Sequence, residues 1–229
     1  MTTLGDLTWP DLAGDTRKLL AVPLGSTEQH GPHLPFSTDT EIASVLCELL
    51  AAERPDVVVA PPLPYGSSGE HAGFPGTLSI GQDALELVVI ELARSAAASF
   101  DGVIFVSGHG GNAEALLRAV TRARDEGHSV MMFLPRWEGD PHAGRAETSM
   151  LLALRPRAVR PFNAVPGNTR PLSELMPRLR AAGVHAVSTN GVLGDPVGAS
   201  ATEGDTLLAA IAGELIDDVA LFCKDLGRA

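Results

Sequence analysis

The sequence predicts an α/β fold built on a mostly parallel, doubly wound sheet. Short apolar runs alternate with longer segments of helical periodicity along its 229 residues. The chain also combines 45% hydrophobic residues with only 4% aromatics, a mixture rich in Ala, Leu and Val that suits helices packed on a buried sheet. No stretch reads as a linker or a repeat. Residues 1–229 are therefore expected to form a single domain, and that length is enough for one substantial core.

The elements follow in order. "KLLAVPL" (18–24) is the first strand and opens into a polar Gly/Pro loop. From Asp39, "DTEIASVLCELLAAE" sets Ile42, Val45, Leu46, Leu49 and Leu50 at helical spacing, with Thr38 as the expected N-cap. "DVVVAPPL" (56–63) is a second strand, cut by Pro61 and Pro62. The Gly-rich stretch "YGSSGEHAGFPGTLSIG" (65–81) leads into the helix "QDALELVVIELARSAAASF". "GVIFVSG" (102–108) is the clearest buried strand and runs into the turn and helix of "HGGNAEALLRAVTRARDEG". "SVMMFLP" (129–135) is a fourth strand, and helices are expected near 145–154, 171–182 and 204–226. Ligands of such sheets gather beyond the carboxyl ends of the strands. The 25–39 loop, the 65–76 loop and His109 should therefore converge.

Charge and composition remove whole classes of function. A formal net charge of −11 without a Lys/Arg cluster argues against a nucleic-acid partner. Cys47 and Cys223 lack metal-ligand spacing and read as buried thiols. No secretory leader pattern and no apolar run near the ~18 residues of a membrane span are visible, so a cytoplasmic protein without a membrane partner is expected.

The loop "GSTEQHGPHLPFSTDTEIA" (25–43) crowds Glu28, His30, His33 and Asp39 behind the first strand. Glu28 and His30 stand two apart, so in extended backbone they point the same way. Asp39, at the start of a helix, can reach back toward them. His109 closes a strand, and its ring projects where strand ends meet. The glycines after it lack the lysine of a phosphate-binding loop. Glu147 opens a later helix in "DPHAGRAETSM", five positions after His142. Singly, each residue also reads as a capping or surface group. Together they describe a dinuclear site of O and N donors, as in two-metal hydrolases. Such a set suits Zn, Mn or Fe and excludes a structural thiolate zinc.

Other polar residues have two readings each. Glu70 and His71 either anchor their loop or touch a substrate. Trp137 either walls a pocket or packs in the core. His33 is expected to hydrogen-bond its own loop backbone. His128 and His185 are expected as surface or half-buried residues flanking strands. Glu203 complements the dipole of the last helix.

Four segments, "PLGSTEQHGPHLPFSTDTEIA", "YGSSGEHAGFPGTLSI", "VSGHGGN" and "HAGRAETSMLLALRP", resemble the successive signatures of the creatininase family, in the same order. The resemblance implies a Rossmann-like three-layer α/β/α fold and two divalent metal ions. One would be held by Glu28, Asp39 and His109, the other by His30, Asp39 and Glu147, with Asp39 bridging. It makes His142 the catalytic proton-transfer residue, and the family carries a Glu-His pair like Glu70-His71; these two, with Gly110, Gly111, Asn112 and Trp137, are expected on the substrate side. It also implies a homo-oligomer, with a hexamer-like ring as the expected kind. Creatininase itself reads His-Tyr-Glu-Asn where this chain has His109-Gly110-Gly111-Asn112. The missing carboxylate argues against creatinine as substrate, and Gly111 is expected to free room for a larger one.

The stretch "PGNTRPLSELMPRLRAAGVHAVSTNGVLGDP" (166–196) resembles the mycofactocin-system branch of that family. This branch trims a modified precursor peptide and releases its cross-linked C-terminal Val-Tyr unit. The implied reaction lowers the pKa of a metal-bridging water from ~15.7 toward ~7. The resulting hydroxide attacks the carbonyl, and His142 protonates the departing amine. Two alternatives remain open: an amidohydrolase of the same family acting on a small cyclic amide or a formamide, and a catalytically silent metal-binding scaffold.

Overall fold

A computed structural model describes residues 2–13 and 18–227. Five parallel strands form one sheet: β1 (Thr2–Thr3), β2 (Leu19–Leu24), β3 (Val57–Val59), β4 (Gly102–Ser107) and β5 (Val130–Phe133), in the spatial order β1-β3-β2-β4-β5. The helices are α1 (Trp9–Leu12), α2 (Thr38–Glu53), α3 (Gln82–Ala96), α4 (Ala113–Asp125), α5 (Arg145–Leu154), α6 (Leu172–Ala182) and α7 (Ala201–Asp225). The four expected strands and six expected helices all form. The two-residue β1 and the short α1 were not foreseen, because neither is long enough to carry a periodic signal.

Strand alternation sorts the core into two layers. On one face of the sheet Leu19, Ala21, Ile104, Val106, Met131 and Phe133 pack with residues of α2, α5 and α7. On the other face Leu20, Val22, Leu24, Val103, Phe105 and Val130 meet α3 and α4. Successive side chains of a strand point to opposite faces, so both faces must be apolar for the sheet to sit between helices. That is why β2 and β4 read as unbroken apolar runs, and all six residues of each are buried.

Local chemistry sets the ends. β3 stops at Val59, ahead of Pro61 and Pro62, so the second strand is shorter than the run 56–63 suggests. Thr38 is the first residue of α2 and Ser37 stands at its N-cap, one position before the expected cap. The side chain of Ser200 accepts the Glu203 N–H and caps α7. Asp140 Oδ2 accepts both the Arg145 N–H at the start of α5 and the Asp195 N–H, at 3.0 Å each. One carboxylate thereby ties the loop carrying His142 to the loop before α7.

From β2 the chain passes through α2 to β3 on one side, and from β4 through α4 to β5 on the other. The switch between the two directions falls between β2 and β4, where a crevice opens at the strand ends. The pairing of Leu24 with Ser107 puts the loop after β2 directly beside the one after β4. Among the described residues no helix is long and apolar enough to cross a membrane.

Candidate metal centre

Loops from four parts of the chain meet in that crevice. The loop after β2 brings Glu28 and His30, the first turn of α2 brings Asp39, the residue after β4 is His109, and the first turn of α5 brings Glu147. All five are buried, as are His71 and His142. His30 Nε2 lies 3.0 Å from Asp39 Oδ1 and 3.9 Å from Glu147 Oε2. His109 Nε2 lies 3.1 Å from Glu28 Oε2, and its Nδ1 is 3.5 Å from Asp39 Oδ2. Two overlapping groups result, Glu28–Asp39–His109 and His30–Asp39–Glu147, each with its donor atoms within 4.8 Å of one another. Asp39 belongs to both. A third group joins Glu28, His30 and His142.

The donor set fits divalent cations. Three buried carboxylates share this space, and the ion-pair partners of Glu28, Asp39 and Glu147 among the described residues are all histidines. Both carboxylate oxygens of Glu28 are fully buried and accept no hydrogen bond. A buried carboxylate that accepts no hydrogen bond is costly unless a cation meets it. Burial holds the Glu147 carboxyl up at about 7, with the charges of Asp39 and Glu28 pushing the same way and His30 opposing. Burial works against protonating His30, yet Asp39, Glu147 and Glu28 together raise it to about 10. A cluster that draws protons so strongly is one that metal ions can discharge, since ligands must shed their protons to bind.

Neighbouring groups orient each ring. His30 Nδ1–H donates to the Glu28 carbonyl at 3.2 Å, which leaves Nε2 free to face Asp39 and Glu147. Ser26 Oγ–H donates to Asp39 Oδ2 at 2.6 Å. His142 Nε2–H donates to the Gln29 carbonyl at 2.9 Å, so its Nδ1 is the nitrogen facing Glu28 Oε1, 3.7 Å away. Burial, reinforced by His30 and His71, keeps His142 well below its ordinary pKa and hence neutral. Ala143, next in the chain, adopts φ 51° and donates its N–H to Glu147 Oε2 at 2.5 Å. Left-handed backbone at a non-glycine residue is strained, and here it aims an amide at a candidate ligand.

A cavity of about 840 Å³ opens over the cluster, reaching Asp39, His71, His109, His142 and Glu147. Its outer wall includes Trp137, Leu172, Met176 and Leu193. Trp137 serves both expected roles, because it lines the cavity and packs against the core below α5 and α7. Glu70, Gly110 and Gly111 also line the cavity. His71 is tied in place on both sides: Gln29 Nε2–H donates to its Nδ1 at 2.9 Å, and its Nε2 faces Glu28 Oε1 at 3.3 Å.

Several expectations need correction. Asn112 does not face the cavity. It is fully buried, accepts the Ser67 N–H at 2.8 Å, and donates to the Gly25 carbonyl at 3.0 Å and to Ser107 Oγ at 3.2 Å. Its amide is spent joining three loops. Gly111 does not leave open room. A Cβ there would overlap Glu70 Oε1 and His109 Nε2 and lie 2.6 Å from the Ser67 carbonyl. The space is already filled by the Glu70 carboxylate, 3.4 Å from His109 Nε2. The His33 side chain reaches beyond its own loop to α5, where its Nε2–H donates to Thr148 Oγ1 at 2.9 Å. His185 sits on a 3-10 turn after α6, not beside a strand, and packs on Phe74. Glu203 lies in the first turn of α7 and also accepts from Arg145 Nε at 2.9 Å and from Ser149 Oγ at 2.8 Å.

Sequence reasoning missed Gln29, which connects the site more than any other uncharged residue. Its side chain bonds His71, the Gly191 carbonyl and the Gly31 N–H, and its backbone carbonyl holds His142. The signal was weak: a glutamine between two candidate ligands in a polar loop reads as a spacer pointing to solvent. Ser26 and Asp140 were missed for the same reason.

The family model for creatininase, described as creatinine amidohydrolase, matches residues 5–219. A relative in Mycolicibacterium smegmatis, named "Mycofactocin precursor peptide peptidase", is 50% identical over 210 residues, 88% of this chain and 84% of the relative. A solved structure described as "Creatininase Mn" matches with a TM-score of 0.81 and 25% identity, covering 95% of this chain and 97% of its own. A mutant creatininase of "Zn-Zn type" matches with a TM-score of 0.80 and 25% identity, covering 95% of this chain and 96% of its own. With the family model spanning nearly the whole sequence and the fold shared throughout, the chain belongs to the creatininase family of hydrolases.

Proposed function

We propose that this chain is a metal-dependent peptidase. It cleaves a modified precursor peptide and releases the peptide's cross-linked C-terminal Val-Tyr unit. The observation that carries the reading is the pair of buried ligand groups sharing Asp39 beneath a roomy, partly apolar cavity of about 840 Å³. The 50% identity to a named peptidase, against 25–29% to creatininases, favours a peptide over creatinine.

Glu28, Asp39 and His109 would hold one divalent ion, and His30, Asp39 and Glu147 the second. When bound, such ions supply a Lewis acid for the carbonyl and acidify water at neutral pH. Zn, Mn and Fe all suit these donors. The remaining tasks fall to the chain. Trp137, Leu172, Met176 and Leu193 seat the apolar Val-Tyr unit and keep bulk water away. His142 Nε2–H is committed to the Gln29 carbonyl, so Nδ1 is the atom that takes the proton shed by the attacking water and passes it to the departing amine. Gln29 and Asp140 hold that ring in position.

The test uses purified protein, the modified precursor peptide and creatinine. The expected result is cleavage ahead of the Val-Tyr unit, abolished by chelation and restored by added metal, with slow or absent creatinine turnover. Rapid creatinine hydrolysis with an untouched peptide would transfer the assignment to the small cyclic amide. Metal binding without turnover of either would leave a silent scaffold.

A further inference from the structure

The cavity above the candidate metal cluster meets a second depression. A second groove of about 610 Å³ shares Glu70, Gly110, Gly111, Ala113 and Leu179 with the first. It then runs between the 69–73 turn and the carboxyl end of α6. The shared rim lies beside His109, whose Nε2 is 3.4 Å from Glu70 Oε1. A peptide bond placed over the cluster must send chain away in two directions. The structure offers two paths, and they differ in character.

Trp137, Leu172, Met176 and Leu193 give the first cavity an apolar part, whereas glycines and alanines make up most of the second, with Glu114, Arg180 and His185 at its edge. Gly69, Gly73, Gly110, Gly111 and Gly183 all line it, together with Ala72, Ala181 and Ala182. Two of the glycines are close-packed. A Cβ on Gly183, which has φ 74°, would lie 2.7 Å from the Glu70 carbonyl, and one on Gly73 would lie 3.1 Å from His185 Cβ. Glycine-lined surface lets another main chain approach closely and sets few demands on its side chains. Gln82 borders the same groove. Its Nε2–H donates to the Gly111 carbonyl at 2.7 Å, while its Oε1 is buried with no partner among the described residues.

We infer that this groove holds the part of the precursor peptide on the amino-terminal side of the scissile bond, while the apolar cavity holds the released unit. This assignment rests on the peptidase reading. It makes the enzyme a reader of chain length. Selectivity for the full precursor over a short mimic arises in the groove, through main-chain contacts that tolerate varied side chains.

The test substitutes Ala72→Trp and, separately, Ala182→Trp. Both residues are exposed and neither contributes to the metal cluster. Within each protein, kcat/KM is measured for the full modified peptide and for a version cut back close to the scissile bond. Wild type should prefer the long peptide, and each tryptophan should reduce that preference by about tenfold, through KM. A labelled fragment matching the amino-terminal portion should bind wild type even after chelation and lose binding in both variants. Unchanged length preference and fragment binding in both variants would overturn the inference. A change of oligomeric state in the variants would overturn it too, by making the groove a contact between copies of this chain. If wild type cleaves neither peptide, the peptidase reading fails, and fragment binding still decides whether the groove receives a peptide.

Discussion

Asp39 meets two histidines with one carboxylate: Oδ1 lies 3.0 Å from His30 Nε2, while Oδ2 lies 3.5 Å from His109 Nδ1. The two oxygens thus serve different neighbours, and Ser26 fixes the orientation through a 2.6 Å hydrogen bond. Asp39 belongs to both candidate ligand groups, so on the two-metal reading Asp39→Ala should lose most of both ions. Elemental analysis of protein purified without chelator checks this. Full metal content in the variant would remove Asp39 from the bridge.

His142 and His109 are both buried histidines, yet their surroundings separate their tasks. His142 is anchored through Nε2 to the Gln29 carbonyl, whereas His109 stands between Glu28 and Asp39. His142→Ala should retain its metals while kcat falls by roughly 10²–10⁴. His109→Ala should lose metal and activity together. Equal metal loss in both variants would make His142 a ligand, as its grouping with Glu28 and His30 permits.

Gly111 is a packing requirement. Even a methyl group would collide with Glu70 Oε1, His109 Nε2 and the Ser67 carbonyl, and a backbone oxygen gives way only if its loop moves. Gly111→Ala should therefore destabilise the fold by about 1–3 kcal/mol. It should also lower metal content by displacing His109. Chemical denaturation paired with metal analysis reads both effects, and a variant unchanged in both would contradict the packing described.

His33 provides a pH test outside the catalytic step. Burial, aided by the nearby charge of His30, lowers its pKa from 6.5 to about 4. Above about 6.5 it is neutral folded and unfolded, and its stabilising bond to Thr148 is intact. As pH falls toward 4, the unfolded chain gains a proton that the folded chain refuses, and stability declines by roughly 1–3 kcal/mol through this one residue. In His33→Gln that share of the acid loss should vanish, while the variant gives up about 1 kcal/mol at neutral pH with the Thr148 bond. Urea titrations near pH 7 and about pH 5 compare the two proteins. Identical acid sensitivity would show that the His33 proton does not matter.

Much of this protein is written in local pattern. The runs at 18–24 and 102–108 are apolar at every position because both faces of a central parallel strand are covered, and they formed within a residue of the expected bounds. The helix at 145–154 formed as its periodicity required. Glu28, His30, Asp39, His109 and Glu147 were legible because carboxylates and histidines crowded behind strands have few other uses, and the fold brings all five together. Pairwise contacts between distant segments were not legible. No sequence spacing reveals that Glu70 fills the space above Gly111, that Gln29 reaches His71 and the Gly191 carbonyl, or that Asn112 turns inward to join three loops. The sequence by itself determined the layers and the kinds of ligand, since strand and helix periods and side-chain chemistry are properties of short segments. The tertiary structure alone decided which carboxylate faces which ring, which space is filled and where a groove opens. Those depend on the register of β2 against β4 and on close packing between loops far apart in the chain.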